Sequence, residues 1–257
     1  IVDPILYTFD TNLNKLTYID LVEEPTCFSI NPEATIAIIA YSHGIICVDL
    51  KTKSMYKKFV IPVDIYEFLN GYPLGIRNIR LTSDEFAYFT IQNYGEHTKR
   101  GIFSINMKTD TCNLYRIPDD INANLFFDPH GNYLYTFAGY FISGYGTELF
   151  QHRIRSDKSV HVIYSSVFSE YTSQSQIWFY NKGKSIIAEA GGEIFEVDDK
   201  LVKTNKFLSE KSYNHVQSFT ISEQYNYAAV SFGGNKISIY DLLTFNLVVQ
   251  IDMENFP

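Results

Sequence analysis

The sequence has few cysteines and few charged residues, and it has no long apolar run. Its 257 residues include three cysteines, at positions 27, 47 and 112, with no Cys-x-x-Cys pair. An odd number in this arrangement indicates reduced thiols in a core and argues against a disulfide framework. No stretch reaches the about 18–20 consecutive apolar residues that cross a bilayer. We therefore expect a cytoplasmic globular protein without a membrane span.

Positive charge is also scarce. Lys and Arg total 21 residues against 29 Asp and Glu, which gives a formal net charge of −8. Proteins that bind nucleic acid neutralise its phosphates with Lys and Arg. The sequence therefore predicts no nucleic-acid partner.

Motifs of catalytic and metal sites are missing as well. The six histidines are scattered, with no His-Glu-x-x-His motif and no zinc spacing to a cysteine. Gly-x-Ser-x-Gly and P-loop motifs are also absent. His152 and His161 would face each other across a hairpin that turns at Asp157. We interpret them as a cross-strand polar pair, with a metal site as the alternative. We predict no catalytic residue, no metal, no cofactor and a protein that is not an enzyme.

Aromatic residues are abundant, with 20 Tyr and 20 Phe in a chain that is 46% hydrophobic and 19% charged. Tyr, Phe and β-branched residues favour pleated strands. The composition therefore indicates a folded all-β protein.

Two sequence patterns recur in step along the chain. The first is an apolar–x–apolar strand that runs into a polar turn, with successive copies 42–52 residues apart, at 28–32, 79–83, 125–129, 177–181 and 219–223. The second is a strand that ends in an apolar residue followed by Asp or Asn, at 6–10, 45–49, 102–106, 194–198 and 237–241, with a weaker copy at 154–158. Recurrence at this period is the signature of a repeat architecture.

Each repeat contains four short strands, which is the number in one blade of a β-propeller. The alternative is an antiparallel sandwich, but a sandwich has no reason to keep both patterns in a fixed order. We predict an all-β propeller of four-stranded antiparallel blades, part of a six- or seven-bladed ring. The predicted parts are a half blade at 1–25 and five full blades, at 26–75, 76–123, 124–174, 175–214 and 215–257. We expect that residues beyond Pro257, or a partner, complete the ring.

Several segments resemble known propeller repeats. Residues 29–33 (SINPE), 36–40 (IAIIA) and 48–50 (VDL) are similar to a WD40 or YVTN-type blade, and so is the last unit, from His215 to Tyr240, Asp241 and Leu242. The resemblance covers nearly the whole chain, although no Trp-Asp pair occurs. It implies a rigid platform that binds other proteins.

The long connections in this arrangement share one face of the blades. They join second to third strands, or one blade to the next, at 62–75, 93–101, 139–147 and 166–175. Loops on a rigid scaffold often carry function, and aromatic and Arg side chains are enriched at interfaces. The predicted partner-binding residues on this long-loop face are Tyr66, Phe68, Tyr72, Tyr94, His97, Arg100, Tyr140, Phe141, Tyr145, Phe168 and Tyr171.

The sequence thus predicts a non-catalytic scaffold for protein–protein interaction in a multi-protein complex. Two alternatives stay open. One is a metal-dependent, lactonase-like propeller hydrolase, and the other is a lectin-like propeller that binds sugar.

Overall fold

The computed structural model describes residues 5–10, 15–21, 24–41, 44–61, 75–92, 101–116, 123–128, 130–138, 147–168, 175–190, 193–206, 216, 218–231 and 236–253. These residues form strands and turns, and they contain no α-helix. Nowhere in these ranges is there a helix of the length and apolarity that a membrane crossing needs. The chain divides into two compact units, Ile1–Leu125 and Phe126–Pro257.

The first unit is built from strands rich in β-branched and aromatic residues, which suit a pleated surface. Its strands are Ile5–Asp10 (β1), Lys15–Asp20 (β2), Cys27–Ile30 (β3), Ile36–Tyr41 (β4), Gly44–Asp49 (β5), Ser54–Val60 (β6), Gly75–Leu81 (β7), Phe86–Gln92 (β8), Gly101–Asn106 (β9) and Thr111–Arg116 (β10).

The second unit continues the same succession of strands. They are Ala123–Phe127 (β11), Tyr133–Ala138 (β12), Thr147–Ile154 (β13), Val160–Phe168 (β14), Ser175–Tyr180 (β15), Ser185–Ala190 (β16), Glu193–Val197 (β17), Lys203–Lys206 (β18), Ser218–Ser222 (β19), Tyr227–Ser231 (β20), Lys236–Asp241 (β21) and Leu247–Asp252 (β22). The first of them, β11, starts just before the boundary between the units.

Within each sheet, strands that follow one another in the chain lie side by side and antiparallel, so the sheets are simple meanders. Among the described residues, β1 and β2 form sheet 1, and each following group of four strands forms one sheet, from sheet 2 (β3–β6) to sheet 6 (β19–β22). The predicted all-β fold of four-stranded antiparallel sheets is confirmed. The exact division of the chain into blade ranges stays a prediction.

The turn between the third and fourth strand repeats in atomic detail. Asp49 Oδ1 accepts the backbone N–H groups of Lys51 and Thr52 at 2.8 and 2.7 Å. Asn106 and Asp241 accept N–H groups two and three residues on in the same way. Such side-chain bonds replace backbone partners in a tight turn. The fourth residue after each acceptor has a positive φ: Lys53 (57°), Asp110 (60°) and Phe245 (58°).

The core of the first unit lies between its sheets. One apolar cluster joins sheet 2 to sheet 3, and a second joins sheet 1 to the opposite face of sheet 2. Phe89 and Phe103 stack within the first cluster, with ring centroids 5.3 Å apart. A short sheet cannot bury a face alone, so neighbouring sheets supply each other's core.

The core of the second unit follows the same plan. One cluster joins sheet 4 to sheet 5, and another joins sheet 5 to sheet 6. In the cluster between sheets 5 and 6, the ring centroids of Trp178 and Phe219 lie 4.3 Å apart. Sheet 5 is therefore apolar on both faces, as a middle blade must be.

Candidate functional site

Ten of the eleven predicted partner-binding residues lie outside the described residues. Their binding role stays a prediction. They are Tyr66, Phe68, Tyr72, Tyr94, His97, Arg100, Tyr140, Phe141, Tyr145 and Tyr171.

Phe168 is the eleventh, and its predicted place in a loop at 166–175 is wrong. It is the last residue of β14, because the ladder with β13 continues through Ser166 to Phe168, which pairs with Thr147. Its half-buried ring lies 4.8 Å from the ring of Phe195 and 6.0 Å from that of Phe137. Phe168 therefore belongs to the core between sheets 4 and 5.

A half-open cavity of about 300 Å³ lies beside this residue, between sheets 4 and 5. We call it the apolar crevice. It extends from the last residues of β14 and β16 to the turn between β17 and β18, and one of the predicted long connections begins at the end of β14. Its lining includes Val167, Phe168, Glu193, Phe195, Val202 and Lys203.

Two branched apolar side chains stand exposed at the mouth of the crevice. Val167 is 64% exposed and Val202 is 55% exposed. Single exposed apolar residues are common on proteins, but here two of them flank a cavity floored by the buried ring of Phe195. Covering a valine side chain fully contributes roughly 1.5–3 kcal/mol. The crevice can therefore hold an apolar side chain from outside.

One ion pair lies along the crevice. Lys203 Nζ is 2.7 Å from Glu193 Oε2 and 4.6 Å from the centroid of the Phe195 ring. A partly exposed pair of this kind contributes only about 0–1 kcal/mol to stability. Its effect is geometric, because it holds the ammonium of Lys203 over the face of the Phe195 ring.

A second cavity, of about 520 Å³, lies between sheets 5 and 6 at the opposite ends of their strands, where the short turns are. The hydroxyl of Tyr180 donates to the carboxylate of Glu196, which also accepts Asn205 Nδ2 at 2.8 Å. Burial first, and then the hydrogen bond to Glu196, raise the pKa of Tyr180 above its usual range. Glu223 Oε1 accepts the backbone N–H of Lys182 at 3.1 Å. The second cavity thus presents hydrogen-bonded carboxylates and a neutral phenol.

The predicted pair of His152 and His161 is wrong. His152 is buried and lies opposite Val162, whereas His161 is exposed and lies opposite Arg153. The turn is closed by bonds between Arg155, Lys158 and Ser159 and is centred on Asp157. In this register the two imidazoles do not face each other. In the described part of the chain, no three His, Cys, Asp or Glu side chains are grouped so that they could hold a metal ion.

The cysteines are free thiols. Burial raises the pKa of Cys27 and of Cys47 to about 11. The thiolate is the reactive form, so both side chains behave as small apolar residues of the core.

Sequence reasoning missed Val167 and Val202, which border the crevice. Val167 is exposed because β14 is the last strand of its sheet, and Val202 is exposed in the turn between β17 and β18.

Comparison with known proteins finds no matching protein-family model and no matching curated sequence. Solved structures do match. The dihydro-heme d1 dehydrogenase NirN in complex with DHE superposes with a TM-score of 0.68 at 10% identity, over 97% of this chain and 52% of that one. The chain thus spans about half the length of NirN.

Two further structures match over most of both chains. The Cps50 (Swd1) β-propeller domain of Myceliophteria thermophila gives a TM-score of 0.67 at 13% identity, over 97% of this chain and 80% of that one. A functionally unknown protein from Desulfotomaculum acetoxidans gives 0.68 at 12% identity, over 96% and 76%. Identities this low show the fold alone. The chain has the fold of a β-propeller, and its resemblance to diverged WD40-like or YVTN-like repeats is confirmed at that level.

Proposed function

We propose that this protein is a non-catalytic scaffold that binds another protein through the long-loop face and the apolar crevice beside it. The observation that carries the proposal is the pair of exposed valines over the Phe195 floor. Binding energy at protein interfaces concentrates in pockets that take one apolar or aromatic anchor. The ion pair of Glu193 and Lys203, beside the ring of Phe195, supplies a polar rim.

Affinity capture with the full chain as bait tests this proposal. Val167→Asp and Val202→Asp each place a charge at the mouth of the crevice, and both positions are exposed, so folding is retained. We expect either variant to lose the captured partner. Leu243→Asp is the matched control, since Leu243 is exposed beside the second cavity. Loss with Leu243→Asp and retention with Val167→Asp would assign binding to the short-turn ends instead.

The predicted loop residues are tested in the same assay. Alanine at Tyr94, Arg100 and Tyr145 together should abolish capture and leave the melting temperature within a few degrees. If capture is lost only when the protein also unfolds, these side chains are structural.

The second cavity favours a second candidate function, as a binding or catalytic site for a small polar molecule. Tyr180, Glu196 and Glu223 converge there, and one structure with the same fold carries the name of a dehydrogenase. Metal analysis, a panel of lactones and phosphoesters, and a glycan array test this candidate. Stoichiometric Ca²⁺ or Zn²⁺ with turnover that Glu196→Gln abolishes would establish a hydrolase. A glycan that binds without turnover would establish a lectin.

A further inference from the structure

Strand β14 is the longest edge strand of the described sheets. It is nine residues long (VHVIYSSVF), and it contains no Lys, Arg, Asp or Glu. It is the last strand of sheet 4, so one edge pairs with β13. Within the described ranges, no strand pairs with the other edge.

Proteins protect open edges with charge, brevity or cover. Strand β6 has two adjacent lysines, Lys57 and Lys58, and β18 is only four residues long and includes Lys203. Strand β22 has no charge before Asp252, but it is only six residues long. Strand β14 is neither charged nor short, and its one irregularity is the bulge opposite Gln151 and His152. An open, uncharged edge of this length presents a row of backbone N–H and C=O groups to another strand.

The side chains of β14 would also suit contact with an added strand. Val162, Ile163 and Tyr164 are 38–43% exposed, although all three are good strand formers. Val167, farther along the strand, borders the apolar crevice. A segment laid along the edge would cover the first three and reach the crevice at its end.

We propose that β14 is a strand-addition site for an extended segment of a partner protein. The segment pairs its backbone with the free edge of β14, and it has β-branched or aromatic residues at alternate positions. One of them enters the apolar crevice. Backbone pairing supplies affinity and the pocket supplies selectivity, as in other strand-addition complexes. The inference rests on the proposed function, because it names the chemistry of the partner at that site.

Peptide selection provides the probe. A phage-displayed library of random short peptides is selected on the full chain, and enriched peptides are synthesised and their affinities measured. We expect alternating β-branched and aromatic residues in these peptides. N-methylation of alternate residues removes donors from one edge of a strand only. One methylated series should therefore lose roughly tenfold or more in affinity while the other retains it.

Variants of the chain locate the bound peptide. Val162→Lys and Tyr164→Lys put charge on the free edge, and each should weaken binding roughly tenfold or more. Val248→Lys is the matched control, because Val248 is also exposed in a fourth strand of the second unit, β22. It should bind as the unmodified chain does, and thermal melts should show that all three variants are folded.

Each other outcome overturns the inference. If no peptide is enriched, or if both methylated series bind equally well, the edge takes no strand. If binding depends on Val167 but not on N-methylation, the crevice holds a side chain alone, and the proposed function survives without strand pairing. If sedimentation shows a dimer that Tyr164→Lys converts to a monomer, a second copy of the chain occupies the edge.

Discussion

Thr136 Oγ1 lies 2.7 Å from His152 Nε2, and both side chains are buried in sheet 4. The ring of Phe150 lies alongside the imidazole, with centroids 6.0 Å apart. No charged partner of His152 is found among the described residues. Burial therefore lowers the pKa of His152 to about 4, so the folded protein holds a neutral imidazole at neutral pH.

The first prediction follows from this pKa. In the unfolded chain the His152 imidazole binds a proton near pH 6.5, and in the folded chain it does so only near pH 4. The contribution of the neutral imidazole to the free energy of unfolding is therefore fully present above pH 6.5 and is lost as the pH falls towards 4. The loss over this window is roughly 3 kcal/mol. Urea denaturation at several pH values measures it. His152→Gln removes the titrating imidazole. The free energy of unfolding of this variant should therefore depend less on pH between 4 and 6.5, whatever its value at pH 7. An unchanged pH dependence would show that other groups carry it.

The second prediction concerns the turn carboxylates. Asp241 Oδ1 accepts the N–H groups of Leu243 and Thr244, both at 2.8 Å, and these bonds lower the pKa of its carboxyl. Asp241→Ala should lower the melting temperature by a few degrees at pH 7. The difference should shrink below the usual Asp pKa, because protonation removes the same bonds in the unmodified chain. Asp199→Ala is the control, since the described residues show no hydrogen bond to that exposed side chain. Equal effects of both changes would refute a special role for Asp241.

The third prediction concerns the stacked core of the first unit. Phe103 is 1% exposed and Phe28 is 59% exposed. Phe103→Ala should cost roughly 3–5 kcal/mol, because it removes a buried ring that packs on Phe89. Phe28→Ala should change stability by less than about 0.5 kcal/mol. Chemical denaturation measures both. A small effect at Phe103 would mean that sheets 2 and 3 do not share this core.

The fourth prediction concerns a close approach at Gly44. A Cβ there would collide with the carbonyl oxygen of Phe59 and lie 2.5 Å from the Tyr41 hydroxyl. At Gly75, a Cβ would meet only Thr26 Cγ2, at 3.5 Å. Gly44→Ala should therefore lower the melting temperature clearly, and Gly75→Ala should lower it little. Thermal melts of the two variants measure this difference. A larger drop in melting temperature for Gly75→Ala than for Gly44→Ala would contradict the close pairing of β5 with β6 at Gly44.

The strand pattern was predictable because each repeat obeys local rules. The alternation in Phe28, Ser29 and Ile30 and the Asp that ends β5 predict a strand and a tight turn, and both are present. Register was not predictable. The pairing at the turn is centred on Asp157, and the sequence pattern does not fix that centre to the residue, so the predicted pairing of His152 with His161 failed.

The end of β14 was missed for a related reason. Ser165 and Ser166 interrupt the apolar pattern and suggested a loop, yet their backbone pairs with β13. An edge strand is held by its ladder, and its outward side chains need not be apolar. The crevice depends on that extension, so it could not be found from the pattern alone.

Hydrogen–deuterium exchange of the chain with and without its captured partner tests the binding account most directly. We expect slower exchange at 166–168 and 193–195, around the apolar crevice, and in the segments that join β12 to β13 and β14 to β15. Slower exchange confined to the short turns at 181–184, 223–226 and 242–246 would contradict the account.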